Sequence, residues 1–200
     1  MPEPGRDEKL MLAFADGDLD AFEEIVRRHE LSLYNFFYRL VWERGTAEDL
    51  CQEVFMRLVT QAPNYEPRAK LSTYLYRIAR SCWVDWLRQT KMSRRMQSLD
   101  ALGEGGQPLA DRVAKQVEEP VDAVRKDEFI GALIGAIDAL PEELKLVFIL
   151  SEVRGMRYAE IAETLEIPEG TVKSRMFNAL RRIRAGVETL RVRESGRDQT

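Results

Sequence analysis

Histidine is nearly missing from this 200-residue sequence: His29 stands alone, and the cysteines are two, Cys51 and Cys82. Together they fall one ligand short of a structural zinc set, and two thiols cannot make a disulfide framework. Both cysteines read instead as fillers of apolar helix faces. An enzyme acting on nucleic acid needs clustered carboxylates for metal ions or a histidine base. The acids here are spread over polar faces, so neither catalysis nor a cofactor is expected. Long apolar runs are scarce as well. Near the N-terminus only Leu10 to Ala15 is apolar, between charged flanks. That is too short for the core of a signal peptide and far short of a membrane span, which implies a cytoplasmic chain without membrane insertion. Finally, no stretch alternates apolar and polar residues long enough to make a strand.

What is present is helical periodicity, with apolar residues recurring at three and four along most of the chain. The expected fold is all-α: two small helical domains joined by a flexible linker. In the first, residues 7–92, Phe22, Ile25, Val26, Leu33, Phe36, Phe37 and Leu40 share one helical stripe, with Gly45 as its stop. Thr46 is the expected N-cap of the next helix, with Asp49 three residues on in a capping-box-like arrangement. That helix buries Ala47, Leu50, Cys51, Val54, Phe55 and Leu58 and turns Glu48, Asp49, Gln52 and Glu53 outward. A further helix is expected from Ser72 to Gln89. Residues 93–120 hold three glycines within four positions and few large apolar groups, the composition of a tether. Residues 121–193 form the second domain, with a helical break at Leu140-Pro141, a short helix from Tyr158 to Leu165 and a long one from Thr171 onward. The tail beyond it is expected to fray.

The two last helices have the pattern of a helix-turn-helix, in a winged-helix-like tetrahelical domain. Ile161, Ala162 and Leu165 face inward, Ile167 closes the turn, and Val172, Met176, Ala179, Leu180 and Ile183 continue the inward stripe. Small Ala162 is what a close crossing of two helices needs. Thr171, Ser174, Arg175, Asn178, Arg181 and Arg182 remain outside, all able to reach base edges or phosphates. The N-terminal part of such a helix enters the major groove, which makes Thr171, Lys173, Ser174 and Arg175 the base readers; Arg181, Arg182 and Arg184 fall to the backbone. A solvated helix face usually mixes charges. Here Thr171 to Arg193 holds seven cations and one acid, whereas Pro141 to Gly170 holds seven acids and three cations. Glu166 occupies a turn position that often takes glycine, so either the turn follows another path or this residue bears strain of about 1 kcal/mol.

A second basic segment lies in the first domain. From Arg68 to Arg95 there are eight cations and one acid, Asp85, interleaved with Tyr74, Tyr76, Trp83 and Trp86. Leu71, Leu75, Ile78, Ala79, Cys82 and Trp86 make the inward stripe, which leaves Tyr76, Arg77, Arg80, Ser81, Trp83 and Arg88 to be exposed. Cations beside exposed rings suit single-stranded DNA, since charge tracks phosphates while rings stack on unpaired bases. The net charge of −4 makes bulk affinity for nucleic acid unexpected, so the local patches carry the signal.

These segments resemble the two-domain, extracytoplasmic-function group of bacterial sigma factors. "AEDLCQEVFMRLV" is similar to conserved region 2.2, "LSTYLYRIARSCWVDWLRQTK" to regions 2.3 and 2.4, and the stretch from Leu140 to Arg184 to region 4. The resemblance implies a subunit that binds core RNA polymerase, recognises the −35 element of promoter DNA through region 4 and the −10 element through region 2, and helps open the duplex. It puts Asp49, Gln52 and Glu53 on the clamp helices of the largest polymerase subunit. Arg77, Arg80 and Arg88 match basic positions beside the −10 strand, with Tyr76 and Ser81 on the same helix, and the loop at Asn64 and Tyr65 lies where the family captures a flipped base. Thr171, Lys173, Ser174 and Arg175 match the −35 reading positions. Where the family often has tryptophan this chain has Tyr74, and where it often has asparagine, Ser81. The resemblance also implies an anti-sigma partner and a role in a stress or envelope response. The competing expectation is a stand-alone helix-turn-helix regulator, which accounts for the C-terminal helix but not for the basic, aromatic segment before the linker.

Overall fold

A computed structural model describes the backbone of residues 5–100 and 121–195, and side chains of residues 5–92 and 129–188. The expected tether is thus described only up to Asp100, and the last five residues of the tail lie outside the described residues. Among the described residues there are eight α-helices, one 3₁₀ turn and no strand.

The first domain contains α1 (Arg6–Ala15), α2 (Leu19–Val41), α3 (Arg44–Gln61), the 3₁₀ turn Ala62–Asn64 and α4 (Leu71–Asp100). Gly17, at φ 102°, makes the reversal between α1 and α2 that a side chain would resist. The carboxylate of Asp18 then accepts from the Ala21 amide at 3.1 Å, satisfying one of the donors that open α2. Glu8 does the same across the fold, its Oε1 accepting from the Leu71 amide at 2.6 Å, so α1 caps α4. Between these helices Met11, Ile25, Leu33, Phe36, Phe37, Val54, Leu58, Leu71 and Leu75 are fully enclosed. Each such side chain contributes about 1.5–3 kcal/mol by leaving water.

Local expectations about element ends needed three corrections. The N-cap of α3 is Glu43 rather than Thr46: its carboxylate accepts from the amides of Gly45 and Thr46 at 2.8 and 2.6 Å. A longer side chain reaching forward has taken the role a short one usually plays. Accordingly α2 does not run on to Gly45; it stops at Val41, with Trp42 in the left-handed region at φ 52°. Lastly, α4 continues past Gln89 to Asp100. Neither glycine nor proline occurs between Pro67 and Gly103, so nothing in that stretch breaks it.

The second domain holds α5 (Val121–Asp138), α6 (Glu142–Glu152), α7 (Tyr158–Leu165) and α8 (Glu169–Ser195). Helices α5 and α8 approach so closely that a Cβ at Gly186 would lie 2.9 Å from the Cβ of Ala136. Val172, Met176, Ala179 and Ile183 form the buried stripe of α8; Leu180, expected among them, is exposed. The two domains are in contact. Leu146, Val147, Ile149, Leu150, Ile161 and Leu165 of the second belong to the same buried cluster as Phe36, Leu75 and Tyr76 of the first.

Candidate nucleic-acid interface

The turn between α7 and α8 sets the angle between the two helices. Glu166 sits at φ 56°, ψ 45°, so this glutamate does bear left-handed strain; the Ile167 amide donates to the Ala162 carbonyl at 3.1 Å and closes the turn behind it. Beyond it, Ile161, Leu165, Val172 and Met176 are buried together, which fixes which face of α8 is left over. On that face Lys173, Ser174, Arg181, Arg182 and Arg184 are exposed, and Thr171, Arg175 and Asn178 half-buried. Lys173 pairs with Glu169 one turn back at 2.8 Å, which raises its pKa, and Arg175 pairs with Glu143 of α6. The Ser174 hydroxyl donates to the Thr171 carbonyl at 3.0 Å. Arg181, Arg182 and Arg184 are all exposed and make no ion pair within the described residues.

On α4 the picture is mixed. Arg88 and Ser81 are exposed and Arg80 half-buried. Arg77 is turned toward the second domain: its guanidinium donates to the Glu163 carbonyl at 3.2 Å and lies 3.4 Å from the Glu166 carboxylate. Tyr76 and Trp83, expected to be exposed, are each 2% exposed. The reason is visible for Tyr76. Its ring packs edge-on to Phe36 at 5.2 Å, its hydroxyl donates to the Ser32 carbonyl at 3.2 Å, and the Arg154 guanidinium covers it at 5.1 Å. The stripe of α4 is therefore wider than the spacing of its aliphatic residues suggested. In the loop before α4, Asn64 is exposed and Tyr65 buried beside Tyr74, ring centres 5.4 Å apart; the Tyr65 hydroxyl finds no hydrogen-bond partner among the described residues. Burial pushes the Tyr65 phenol up to about 12, so it stays protonated.

A third face lies on α3. Asp49, Gln52 and Glu53 are exposed on one side, Glu53 paired with Arg57 at 2.7 Å, and Met56, 64% exposed, continues their stripe. Cys51, Cys82 and His29 have separate structural roles. Cys51 and Cys82 are buried, with thiols pushed up to about 12 and about 11 by desolvation, and His29 bonds to Asp7 at 3.0 Å. Among the described residues no group of three or more His, Cys, Asp or Glu could hold a metal ion, and no helix is long and apolar enough to cross a membrane.

Two helical modules with basic faces, one of them a helix-turn-helix, are the architecture of a DNA-binding protein. The profile of Sigma-70 region 2 matches residues 25–92, and that of Sigma-70 region 4 residues 130–183. The chain is 30% identical over 174 residues to the ECF RNA polymerase sigma factor SigW of Bacillus subtilis, covering 87% of this chain and 92% of that one. To SigE of Mycolicibacterium smegmatis it is 33% identical over 174 residues, covering 85% and 64%. Among solved structures, CnrH in complex with the cytosolic domain of CnrY matches with a TM-score of 0.64 at 18% identity, over 92% of this chain and 97% of that one. RpoE bound to the anti-sigma factor NepR, from Bartonella quintana, matches with a TM-score of 0.61 at 21% identity, over 84% and 96%. These two likenesses concern the fold. The chain belongs to the extracytoplasmic-function subfamily of bacterial sigma-70-type sigma factors, the subunits that direct RNA polymerase to promoters.

Proposed function

We propose a division of labour among three faces. Helix α8 reads the −35 element, with Thr171, Lys173, Ser174 and Arg175 at base edges and Asn178, Arg181 and Arg182 toward the backbone. The face of α4 with Arg77, Arg80, Ser81 and Arg88 tracks the −10 strand, and Asn64 meets a flipped base. Tyr65 and Tyr76, both buried, support that surface from beneath rather than stacking on DNA. On α3, Asp49, Gln52 and Glu53 dock on the clamp helices of the polymerase's largest subunit. No step of this requires chemistry by the chain itself or a cofactor.

The observation that carries the reading is the exposed cationic run Arg181, Arg182 and Arg184, without an ion pair among the described residues, on a helix whose apolar stripe is already buried. Such a surface fits a polyanion. An anti-sigma partner in the cytoplasm is part of the same reading, supported by the complexes in which the two similar structures were solved.

Run-off transcription with core polymerase over a library of promoters tests it. Promoter-dependent product only in the presence of this chain is expected; none at all would overturn the reading. Tight, specific duplex protection by the chain without polymerase would point instead to a stand-alone regulator.

A further inference from the structure

Helix α4 starts without a cap from its own neighbourhood. Its first turn leaves the Leu71 amide in need of an acceptor, and the side chain of Lys70, immediately before it, has only donors. The acceptor comes from 63 residues away: Oε1 of Glu8, in α1, lies 2.6 Å from that amide. A carboxylate there also meets the positive end of the helix dipole. Glu8 is itself held in place. Its neighbour Asp7 accepts from Arg28 at 2.8 Å and bonds to His29 at 3.0 Å, both on α2, and Met11, one turn on, is fully enclosed. The first turn of α1 thus ties the middle of α2 to the start of α4.

That start carries the end of the loop of residues 62–70. Within the loop the Tyr65 amide donates to the Ala62 carbonyl at 3.1 Å and the Arg68 amide to the Glu66 carbonyl at 2.8 Å. These bonds shape the loop without tying it to a neighbour, so its position depends on its two ends and on Tyr65. At the entry, the Tyr74 hydroxyl donates to the side-chain carbonyl of Gln61 at 2.7 Å. At the exit stands Glu8. Between them lies Tyr65, 8% exposed, and α1 packs on the 3₁₀ turn that opens the loop. Burial, and after it the charge of Glu8, pushes the Tyr65 phenol up to about 12, so the carboxylate is felt at the loop's buried anchor as well as at its end. Asn64, one residue before that anchor, is exposed.

We infer that Glu8 is a positioning residue for recognition of the −10 element: by capping α4 it fixes the end of the loop that offers Asn64 to a flipped base. The loop is thus set from α1, which lies outside the three faces assigned above. Without the cap the first turn of α4 frays, Tyr65 loses its seat, and Asn64 is held too loosely to tell one base from another. Contacts to phosphates along α4 do not depend on the loop, so specificity falls rather than affinity. This rests on the assignment of the loop at Asn64 and Tyr65 to the flipped base.

The test uses holoenzyme assembled from core polymerase and full-length chain, on a promoter selected by run-off and on a set with each −10 base pair replaced in turn. Glu8→Ala should lower the ratio of product from the preferred over the replaced −10 sequences about fivefold, the scale of a lost cap. Discrimination among −35 sequences should stay as in the wild type. Asp18→Ala is the matched control, since it removes the cap of α2 at the Ala21 amide and should leave −10 discrimination unchanged. Adding Lys70→Ser to Glu8→Ala gives α4 a local cap and should restore discrimination, which keeps the test decisive should Glu8→Ala alone not fold. Unchanged −10 discrimination in Glu8→Ala, an equal loss in Asp18→Ala, or no recovery in the double variant would overturn the inference. Asn64→Ala keeps the two readings apart. Discrimination lost in Asn64→Ala but kept in Glu8→Ala removes only the positioning role, and the reverse keeps that role and removes Asn64 as the contact. Discrimination kept in both removes the loop assignment as well, and no promoter-dependent product from the wild type removes the whole reading.

Discussion

The ammonium of Lys145 donates to the carbonyl oxygen of Leu40 at 2.9 Å, joining α6 of one domain to the C-terminal turn of α2 in the other. A buried lysine is expensive unless its charge is met, and here a carbonyl and the Asp138 carboxylate meet it. Lys145→Met keeps the aliphatic stem but leaves the Leu40 carbonyl without its donor. Stability should fall by about 1–3 kcal/mol, the cost of an orphaned buried polar group. Urea unfolding followed by circular dichroism measures it. The wild type should unfold in one transition, and the variant should begin to show two as the domains uncouple.

Glu166 sits at φ 56° where glycine pays no steric cost, and Glu166→Gly should stabilise the helix-turn-helix domain by about 0.5–1 kcal/mol after the entropy glycine loses on folding. The same change removes the carboxylate facing Arg77. Thermal melts should therefore rise even though a contact between the domains is lost; a fall instead would show that the contact with Arg77 outweighs the backbone strain.

Much of the fold was legible in the sequence because burial imposes a period on it. Val172, Met176, Ala179 and Ile183 were read as an inward stripe and are buried; the span of α7, Tyr158–Leu165, was read to the residue. Glu43 was missed because it caps from outside the usual set of short side chains, and Tyr76 because aromatic burial against Phe36 depends on a helix far away in sequence. Lys145 could not have been found. A lysine in an acidic stretch has no local mark distinguishing a solvated charge from one that reaches the end of another helix. The segregation of charge was visible, but its sign pattern fits DNA and fits the other domain equally well, and only the fold shows Glu142, Glu160 and Glu166 opposite Lys91, Lys70 and Arg77.

His29 supplies a pH dependence. It is buried at the meeting of α1 and α2; desolvation lowers its pKa below 6.5, with Arg28 and Arg154 acting in the same sense and Asp7 partly opposing them. A depressed pKa means the unfolded chain takes up the proton first, so the stabilising contribution is complete above 6.5 and is lost as pH falls through the lower folded value. Chemical denaturation at a series of pH values should show stability declining below 6.5 before the carboxylates titrate. His29→Gln, which keeps a donor toward Asp7, should flatten that part of the curve.

On the proposed reading, the cations of α8 should separate into two kinds by their effect on salt dependence. Arg182→Ala should weaken promoter binding by holoenzyme about equally across sequences and reduce the slope of log affinity against log salt by about one. Arg175→Ala should instead relax discrimination among −35 sequences, a loss of about 1–3 kcal/mol for the preferred base. Filter binding over a salt series with matched and mismatched promoters distinguishes these outcomes. Equal loss of discrimination in both variants would place Arg182 at a base edge as well.

On α3, Asp49, Gln52 and Glu53 are exposed and lie on a face that the helix does not need for its own packing. Exposed substitutions of this kind usually change stability by less than about 0.5 kcal/mol, so a binding defect can be read without a folding defect. Asp49→Arg, which breaks no contact described for that residue, should melt like the wild type and lose affinity for core polymerase at least tenfold, because a cation replaces an acid at the centre of the proposed docking face. Glu53→Arg should do the same with a small extra cost, since it also gives up the pair with Arg57 at 2.7 Å. Competition for core polymerase against labelled wild-type chain measures the loss. Met56, exposed on the same stripe, serves as the discriminating position: Met56→Ala should weaken binding without altering its salt dependence, whereas the Asp49 and Glu53 variants should alter it. If all three variants competed as well as the wild type, the docking face would have to be sought elsewhere on the first domain.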